Sequence, residues 1–295
     1  MVAAATDFFY RLPMRAGGQR PGSHPGTSQG NGQEFITHAT LFSRPDPRRL
    51  DVRASLRDVR GDWLVRVMRQ RVGVPVWLVA DVSASMVFGA RRSKLEVLSD
   101  LARAIGASAF RVGDAAGMVA FDTSEREDLY VPASLSRGVG HVMAAQLADP
   151  ALAAQADAGE RHRGDPVDGL RDTLQRLAGK QGLVFLASDF HWPLARLDET
   201  LDALSRAYVV PVIIWDPAET EPPVTNGLVS LRDAESAARS AIWLRPKLRS
   251  EWREAVETRR ATLKAFFSNR GLRPFWVHGT FDADAMSEYF FEANA

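Results

Sequence analysis

Cysteine is absent from this chain of 295 residues. Disulfides, thiolate zinc sites and cysteine nucleophiles are therefore excluded, and the composition suits a reducing compartment. No apolar run approaches the ~20 residues that a bilayer-spanning helix needs. The opening MVAAATDFFYRLPMR has no basic leader ahead of an apolar core, so it does not read as a secretion signal, and a cytoplasmic protein is expected. Histidine is sparse, and His24, His38, His141, His162 and His278 show no metal-ligand spacing. His191, beside Trp192 and Pro193, reads as a loop-packing residue rather than as half of a catalytic pair. Neither a G-x-x-x-x-G-K-[ST] phosphate loop nor a G-x-S-x-G elbow is present. The formal charge of +1 gives no general pull toward nucleic acid or acidic lipid.

What is present is material for a core. Residues 1–33 read as a flexible N-terminal segment. Gly, Pro, Ser and Gln dominate 16–33, leaving too little apolar surface to offset the entropy of ordering, while FFYRLPM ahead of it could dock as an aromatic anchor. Residues 34–73 read as a basic arm packing on the core, with short strands or a helical turn. Arg44, Arg48, Arg49, Arg53, Arg57, Arg60, Arg66, Arg69 and Arg71 crowd it, interleaved with Asp46, Asp51, Asp58 and Asp62. That interleaving describes a solvated, salt-bridged face, with a polyanion-binding patch as the sharper alternative.

Residues 74–295 form the expected main domain. Near-continuous apolar runs at 74–81, 115–122, 183–190 and 208–216 read as strands covered on both faces. Helical spacing occurs at 93–113, 138–147, 167–177, 195–207, 247–269 and 283–292, a hairpin is expected at 227–244, and a last strand at 272–279. The tryptophans at 63, 77, 215, 243, 252 and 276 are expected mostly in the core. Alternating strands and helices predict an α/β fold, a doubly wound, mostly parallel Rossmann-like sheet with helices on both faces.

The chemistry gathers where the first core strand ends. VPVWLVADVSASMVFG runs from an apolar strand into Asp81, Ser83 and Ser85, three oxygen donors at alternate positions. In doubly wound sheets ligands sit at the carboxyl ends of strands, and the run at 183–190 supplies a second carboxylate, Asp189. Carboxylate and hydroxyl oxygens without nearby His or Cys are hard donors that suit Mg²⁺ or Mn²⁺.

The D-x-S-x-S loop in this strand–loop–helix context resembles the metal-ion-dependent adhesion site of von Willebrand factor A domains. The likeness is closer to a bacterial branch of unknown function encoded beside MoxR-type AAA+ ATPases, through RPDPRRLDVRAS, VWLVADVSASM, GDAAGMVAFD, LVFLASDF and FDADAMSEYFF, from about residue 34 onward. Val52 stands where that branch usually has tryptophan. The resemblance implies that Ser83 and Ser85 hold the metal directly, with Asp81 and Asp189 directly or through water. It also places Asp165, in HRGDPVDGL, where the branch has a threonine ligand. A carboxylate there would tighten metal binding and weaken the ion's pull on a partner's acid; equally, Asp165 followed by Pro166 is a well-formed helix start.

The implied function is a non-enzymatic, metal-dependent protein-binding adaptor. It would work with a MoxR-type AAA+ ATPase in maturation or assembly of a client protein, with no nucleic acid expected. The rival is a Mg²⁺-dependent hydrolase of phosphate esters, disfavoured because residue 83 is serine where a D-x-D nucleophile pair would have a second carboxylate.

Overall fold

The computed structural model describes residues 7–13, 21–30, 32, 34–157, 165–223, 227–232 and 239–293. In chain order the elements are β1 (Pro21–Gly30), β2 (Glu34–Thr40), α1 (Val52–Ser55), β3 (Leu64–Val72), β4 (Pro75–Asp81), α2 (Lys94–Val112), β5 (Ala115–Phe121), β6 (Val131–Ser134), α3 (Val139–Leu147) and α4 (Pro150–Asp157). There follow α5 (Pro166–Gln175), β7 (Leu183–Ser188), α6 (Leu197–Leu201), β8 (Tyr208–Trp215), α7 (Pro217–Thr220), β9 (Gly227–Arg232), β10 (Arg239–Leu244), α8 (Pro246–Asn269), β11 (Phe275–His278) and α9 (Ala283–Glu292).

An apolar run without polar alternation needs cover on both faces, and β4 has it. Val76, Leu78 and Ala80 join the cluster built with α2, α3 and α9. Trp77 and Val79 join the opposite cluster with α5, α6 and α8. Six strands lie in the order β11-β8-β7-β4-β5-β6, all parallel except β6, which runs antiparallel to β5. From β4 the chain steps one way to β5 and β6, then crosses back to β7 on the other side of β4. The carboxyl ends of β4 and β7 are thus the switch point, where side chains from two strands open onto one crevice.

Helix α2 begins in a capping box between Ser93 and Glu96 and ends at Gly113, whose φ of 83° is the left-handed stop that glycine adopts without strain. Against α3 it packs backbone to backbone: a Cβ on Gly106 would lie 2.4 Å from the Cα and N of Gly140. Gly106→Ala is expected to force the helices apart and cost about 1–3 kcal/mol. Urea unfolding measures it, and an unchanged midpoint would refute the close contact.

The N-terminal segment departs from expectation. Phe8, Tyr10 and Leu12 are buried in the cluster with α2 and α9. The Phe8 ring stacks on Phe290 at 6.2 Å, and its amide donates to Ser108 Oγ at 2.8 Å. The aromatic anchor thus docks, and part of the stretch expected to be a loop is β1, paired with β3. The reason is that strand pairing draws on backbone groups, which a Gly/Pro/Ser-rich stretch possesses as fully as any other. Residues 14–20, 31 and 33 lie outside the described residues. The arm itself forms a three-stranded antiparallel sheet, β1-β3-β2, with α1 alongside.

The hairpin at 227–244 is present as β9 and β10, in register from Gly227↔Leu244 to Arg232↔Arg239. The helix expected over 195–207 is shorter: α6 tightens into a 3₁₀ turn at Asp202–Leu204. Trp77 and Trp215 are buried, whereas Trp63 and Trp243 are exposed, contrary to the core reading. Both belong to the small antiparallel sheets, on β10 or just ahead of β3, where the six-stranded sheet's helices give no cover. No helix among the described residues is long and apolar enough to cross a membrane.

Candidate functional site

Strand β4 ends on Asp81, which is 0% exposed. The chain turns at once, with the Ser83 amide donating to Asp81 Oδ1 at 2.9 Å, and then makes a 3₁₀ turn at Ala84–Val87. Asp81 accepts a bond from the Ser83 hydroxyl as well. The Ser83 and Ser85 hydroxyls are 3.2 Å apart. From the adjacent strand β7, Ser188 Oγ donates to Asp81 Oδ2 at 2.6 Å, joined by Trp192 Nε1 at 3.3 Å. Asp189 follows, 0% exposed, and accepts a hydrogen bond from Ser85. It is held by a strained turn. Phe190 has φ 50°, its amide donates to Ser188 Oγ at 2.9 Å, and its carbonyl accepts from Arg259. Asp81, Ser83, Ser85 and Asp189 are therefore brought together at the switch point.

A residue that the motif reading passed over lies in the same cluster. Lys94, 1% exposed on the first turn of α2, donates to Asp189 Oδ2 at 2.7 Å and to Glu219 Oε1 at 2.6 Å. Glu219 belongs to the capping box that starts α7, its other oxygen accepting from the Asp216 amide at 3.1 Å. His191 lies 3.7 Å from Glu219 Oε2 and stacks on Trp215, consistent with loop packing. Ligand atoms of Asp189, His191 and Glu219 all fall within 4.8 Å of one another, yet the Lys94 ammonium already bridges the two acids. The sequence did carry a signal for Lys94: it sits on the apolar stripe with Val97, Leu98 and Leu101, a charged residue at a core position. Glu219 had only a helix-start signature.

The two aspartates differ in charge state. Burial, then the neighbouring Asp189 charge, pushes the Asp81 carboxyl up to about 6 from 3.8. Burial pushes Asp189 up too, but the Lys94 ammonium, then His191 and the hydrogen bonds from Lys94 and Ser85, outweigh it and hold Asp189 below the usual carboxylate range. Lys94 is pulled down by burial and raised more by Asp189 and Glu219. An acid whose folded value lies above its unfolded one loses stability for the fold as it ionises. The metal-free site is therefore less favourable as pH rises through the window from 3.8 to about 6, a cost that a bound cation would relieve.

The donor set fits a hard cation. In an octahedron with bonds of ~2.0–2.1 Å, neighbouring ligand oxygens are roughly 3 Å apart, close to the separation of the two serine hydroxyls. Asp81, Ser83 and Ser85 would hold the ion; Asp189 offers it only the carboxylate charge that Lys94 has not offset. Ser85 and Glu219 are half-buried and His191 and Phe88 exposed, so the cluster opens to solvent on that side.

Asp165 does not join the cluster. Its Oδ1 caps α5 by accepting from the Val167 amide at 2.9 Å, and its Oδ2 lies 3.8 Å from Arg196, which also bonds Asp168 at 2.7 Å. These contacts match the helix-start reading of Asp165. A helix opening on Pro166 leaves free amides that an Asp at the cap position satisfies, and Arg196 supplies the counter-charge.

These features define a class: an α/β protein whose switch point carries a buried acidic and hydroxyl cluster balanced by an internal lysine. The chain belongs to the family described as Protein of unknown function DUF58, whose family model matches residues 45–262. Relatives named only as uncharacterized proteins, in Mycobacterium tuberculosis and Mycobacterium bovis, are 28% identical over 261 residues, covering 88% of this chain and 79% of theirs. Among solved structures, the conserved hypothetical protein BatB from Bacteroides thetaiotaomicron aligns with a TM-score of 0.44 at 16% identity, over 75% of this chain and 97% of that one. An aerotolerance-related membrane protein from Bacteroides fragilis aligns at 0.43 and 14%, over 75% and 98%.

Proposed function

We propose that this chain is a von Willebrand factor A-like adaptor. It would use a Mg²⁺ or Mn²⁺ ion at Asp81, Ser83 and Ser85 to engage an acidic side chain of a partner protein, without catalysing a reaction itself. The partner that the sequence resemblance suggests is a MoxR-type AAA+ ATPase, the pair acting on a client protein. The observation that carries the reading is the convergence of Asp81, Ser83, Ser85 and Asp189 at the switch point.

When bound, the ion would supply an open coordination position for an incoming carboxylate. The protein's part is to keep that position electrophilic. Lys94 offsets Asp189, Asp165 is engaged elsewhere, and two neutral hydroxyls stand where further carboxylates would quench the ion's pull. Serine at position 83 also removes the second carboxylate that a phosphoryl-transfer pair would need.

Titration calorimetry tests the reading. The unaltered chain should take up Mg²⁺, and at about 100-fold excess over Kd the ion should add about 2.7 kcal/mol to unfolding stability. Asp81→Ala should lose both the heat and the added stability while keeping its circular dichroism spectrum. Asp81→Asn, which keeps an oxygen for the Ser188 and Trp192 donors, guards against a variant that fails to fold. Equal Mg²⁺ heats in all three proteins, or turnover of a phosphate ester by the unaltered chain, would overturn the adaptor.

A further inference from the structure

The arm holds features that the metal site does not use. Between residues 44 and 71 stand nine arginines and four aspartates, with no lysine or glutamate, in a chain whose overall charge is only +1; the rest of the molecule is therefore net acidic. Strand β3 presents two faces. Val65 and Val67 are buried, while Arg66 and Met68 point to the other side. Their cross-strand partners on β2 are His38 and Phe35, which therefore share that outer face. Over it lies an open groove of ≈ 610 Å³, lined among others by Arg48, Arg49, Val52, Arg53, Arg66 and Met68.

Two of these arginines have acidic partners. Arg66 donates to Asp51 at 2.8 Å, and Arg49 lies 3.3 Å from Asp46. Arg48 and Arg53 are exposed and make no ion pair among the described residues. Val52, half exposed, lines the groove, and Phe35, half exposed, pairs across the strands with Met68; elsewhere the arm exposes Phe42, Leu56, Val59 and Trp63. Scattered apolar side chains on a surface are ordinary, but a concentration of them beside arginines is the composition of a binding surface.

We propose that this groove docks an acidic segment of a partner protein that carries apolar side chains among its acids. Glutamates or aspartates of the segment would pair with Arg48 and Arg53, and its apolar residues would cover Val52, Phe35 and Met68. Charge complementarity selects the occupant. Asp46, Asp51, Asp58 and Asp62 interrupt the positive field, which opposes a continuous phosphodiester backbone but suits a chain that alternates acid with apolar residues. This contact lies outside the metal cluster and does not depend on it.

The probe is a fluorescein-labelled peptide alternating glutamate with leucine and phenylalanine, titrated with the full chain in EDTA and followed by anisotropy. The expected result is saturable binding that weakens with added salt and falls at least tenfold, about 1.4 kcal/mol, in Arg48→Glu/Arg53→Glu. Both side chains are exposed, so the double variant should unfold at the same temperature as the parent. Val52→Asp, which removes apolar contact, should weaken binding as well. The proposal fails if the double variant binds the peptide as tightly as the parent. It fails equally if single-stranded DNA or phosphatidylserine vesicles bind the parent more tightly than the peptide does. A concentration-dependent dimer that the double variant abolishes, with no peptide binding by the parent, would assign the groove to a second copy of the chain instead. Because EDTA is present throughout, failure here leaves the metal-dependent reading untouched, and failure of Mg²⁺ uptake leaves this one standing.

Discussion

Replacing Lys94 by methionine is expected to destabilise the metal-free protein by about 3–5 kcal/mol, the cost of leaving buried carboxylates without their counter-ion. The ammonium bonds both Asp189 and Glu219 within 2.7 Å, and Asp189 is sealed from solvent. Methionine keeps the stem's volume, so packing changes little and the loss is electrostatic. The pH dependence has a definite sign. With Lys94 present, Asp189 is held below its ordinary 3.8, so the pair contributes stability above that pH and loses it as pH falls through the folded value. In the variant that contribution is gone and burial pushes the acid up, so parent and variant should converge in acid. If Mg²⁺ binds as proposed, it should rescue the variant more than the parent, since the ion can then face the whole Asp189 charge. Urea unfolding in EDTA and in Mg²⁺, at neutral pH and in acid, measures all three effects. An unchanged midpoint in EDTA at neutral pH would show that the ammonium does not balance the cluster.

Lys94 also illustrates which parts of this molecule the sequence displays. The parallel strands were legible because burial on both faces demands unbroken apolar runs. The position of the site followed, since Asp81 and Asp189 both end such runs. Its electrostatics did not, because Lys94 follows a Ser cap and its charge looks like an ordinary surface feature of a helix start. Only the apolar stripe formed with Val97, Leu98 and Leu101 marks it as facing inward. At Asp165 the two readings were a metal ligand, implied by the family resemblance, and a helix cap; the structure shows the cap. The cap was legible locally, since a helix opening on Pro166 leaves free amides that an Asp at the cap position satisfies. Short elements such as β6 and α4 were missed altogether; a four-residue edge strand containing Pro132 has too little periodicity to read.

The N-terminal segment leads to the second large effect, at the opposite end of the sheet from the metal cluster. Asp114, 1% exposed at the start of β5, accepts from Tyr10 Oη at 2.5 Å and from the Val74 amide at 2.8 Å, and lies 2.7 Å from His24 Nε2. One carboxylate thus ties the aromatic anchor, strand β1 and the turn into β4. Burial, then the Asp114 charge, drives the Tyr10 hydroxyl well above its ordinary value, so it remains a donor across the working pH range. Asp114→Ala removes the acceptor for all three partners at once, each buried, and should cost about 3–5 kcal/mol. Asp114→Asn keeps one acceptor oxygen and should cost less. The loss is also expected to be local before it is global: hydrogen exchange should accelerate at residues 8–12 and 21–30 while β7 and β8 stay protected. Mg²⁺ uptake, arising from loops at the far end of β4, should be unchanged in any Asp114→Ala molecules that remain folded. Exchange that rises uniformly over the six-stranded sheet, or not at all, would show that Asp114 is not what holds the N-terminal segment to the domain.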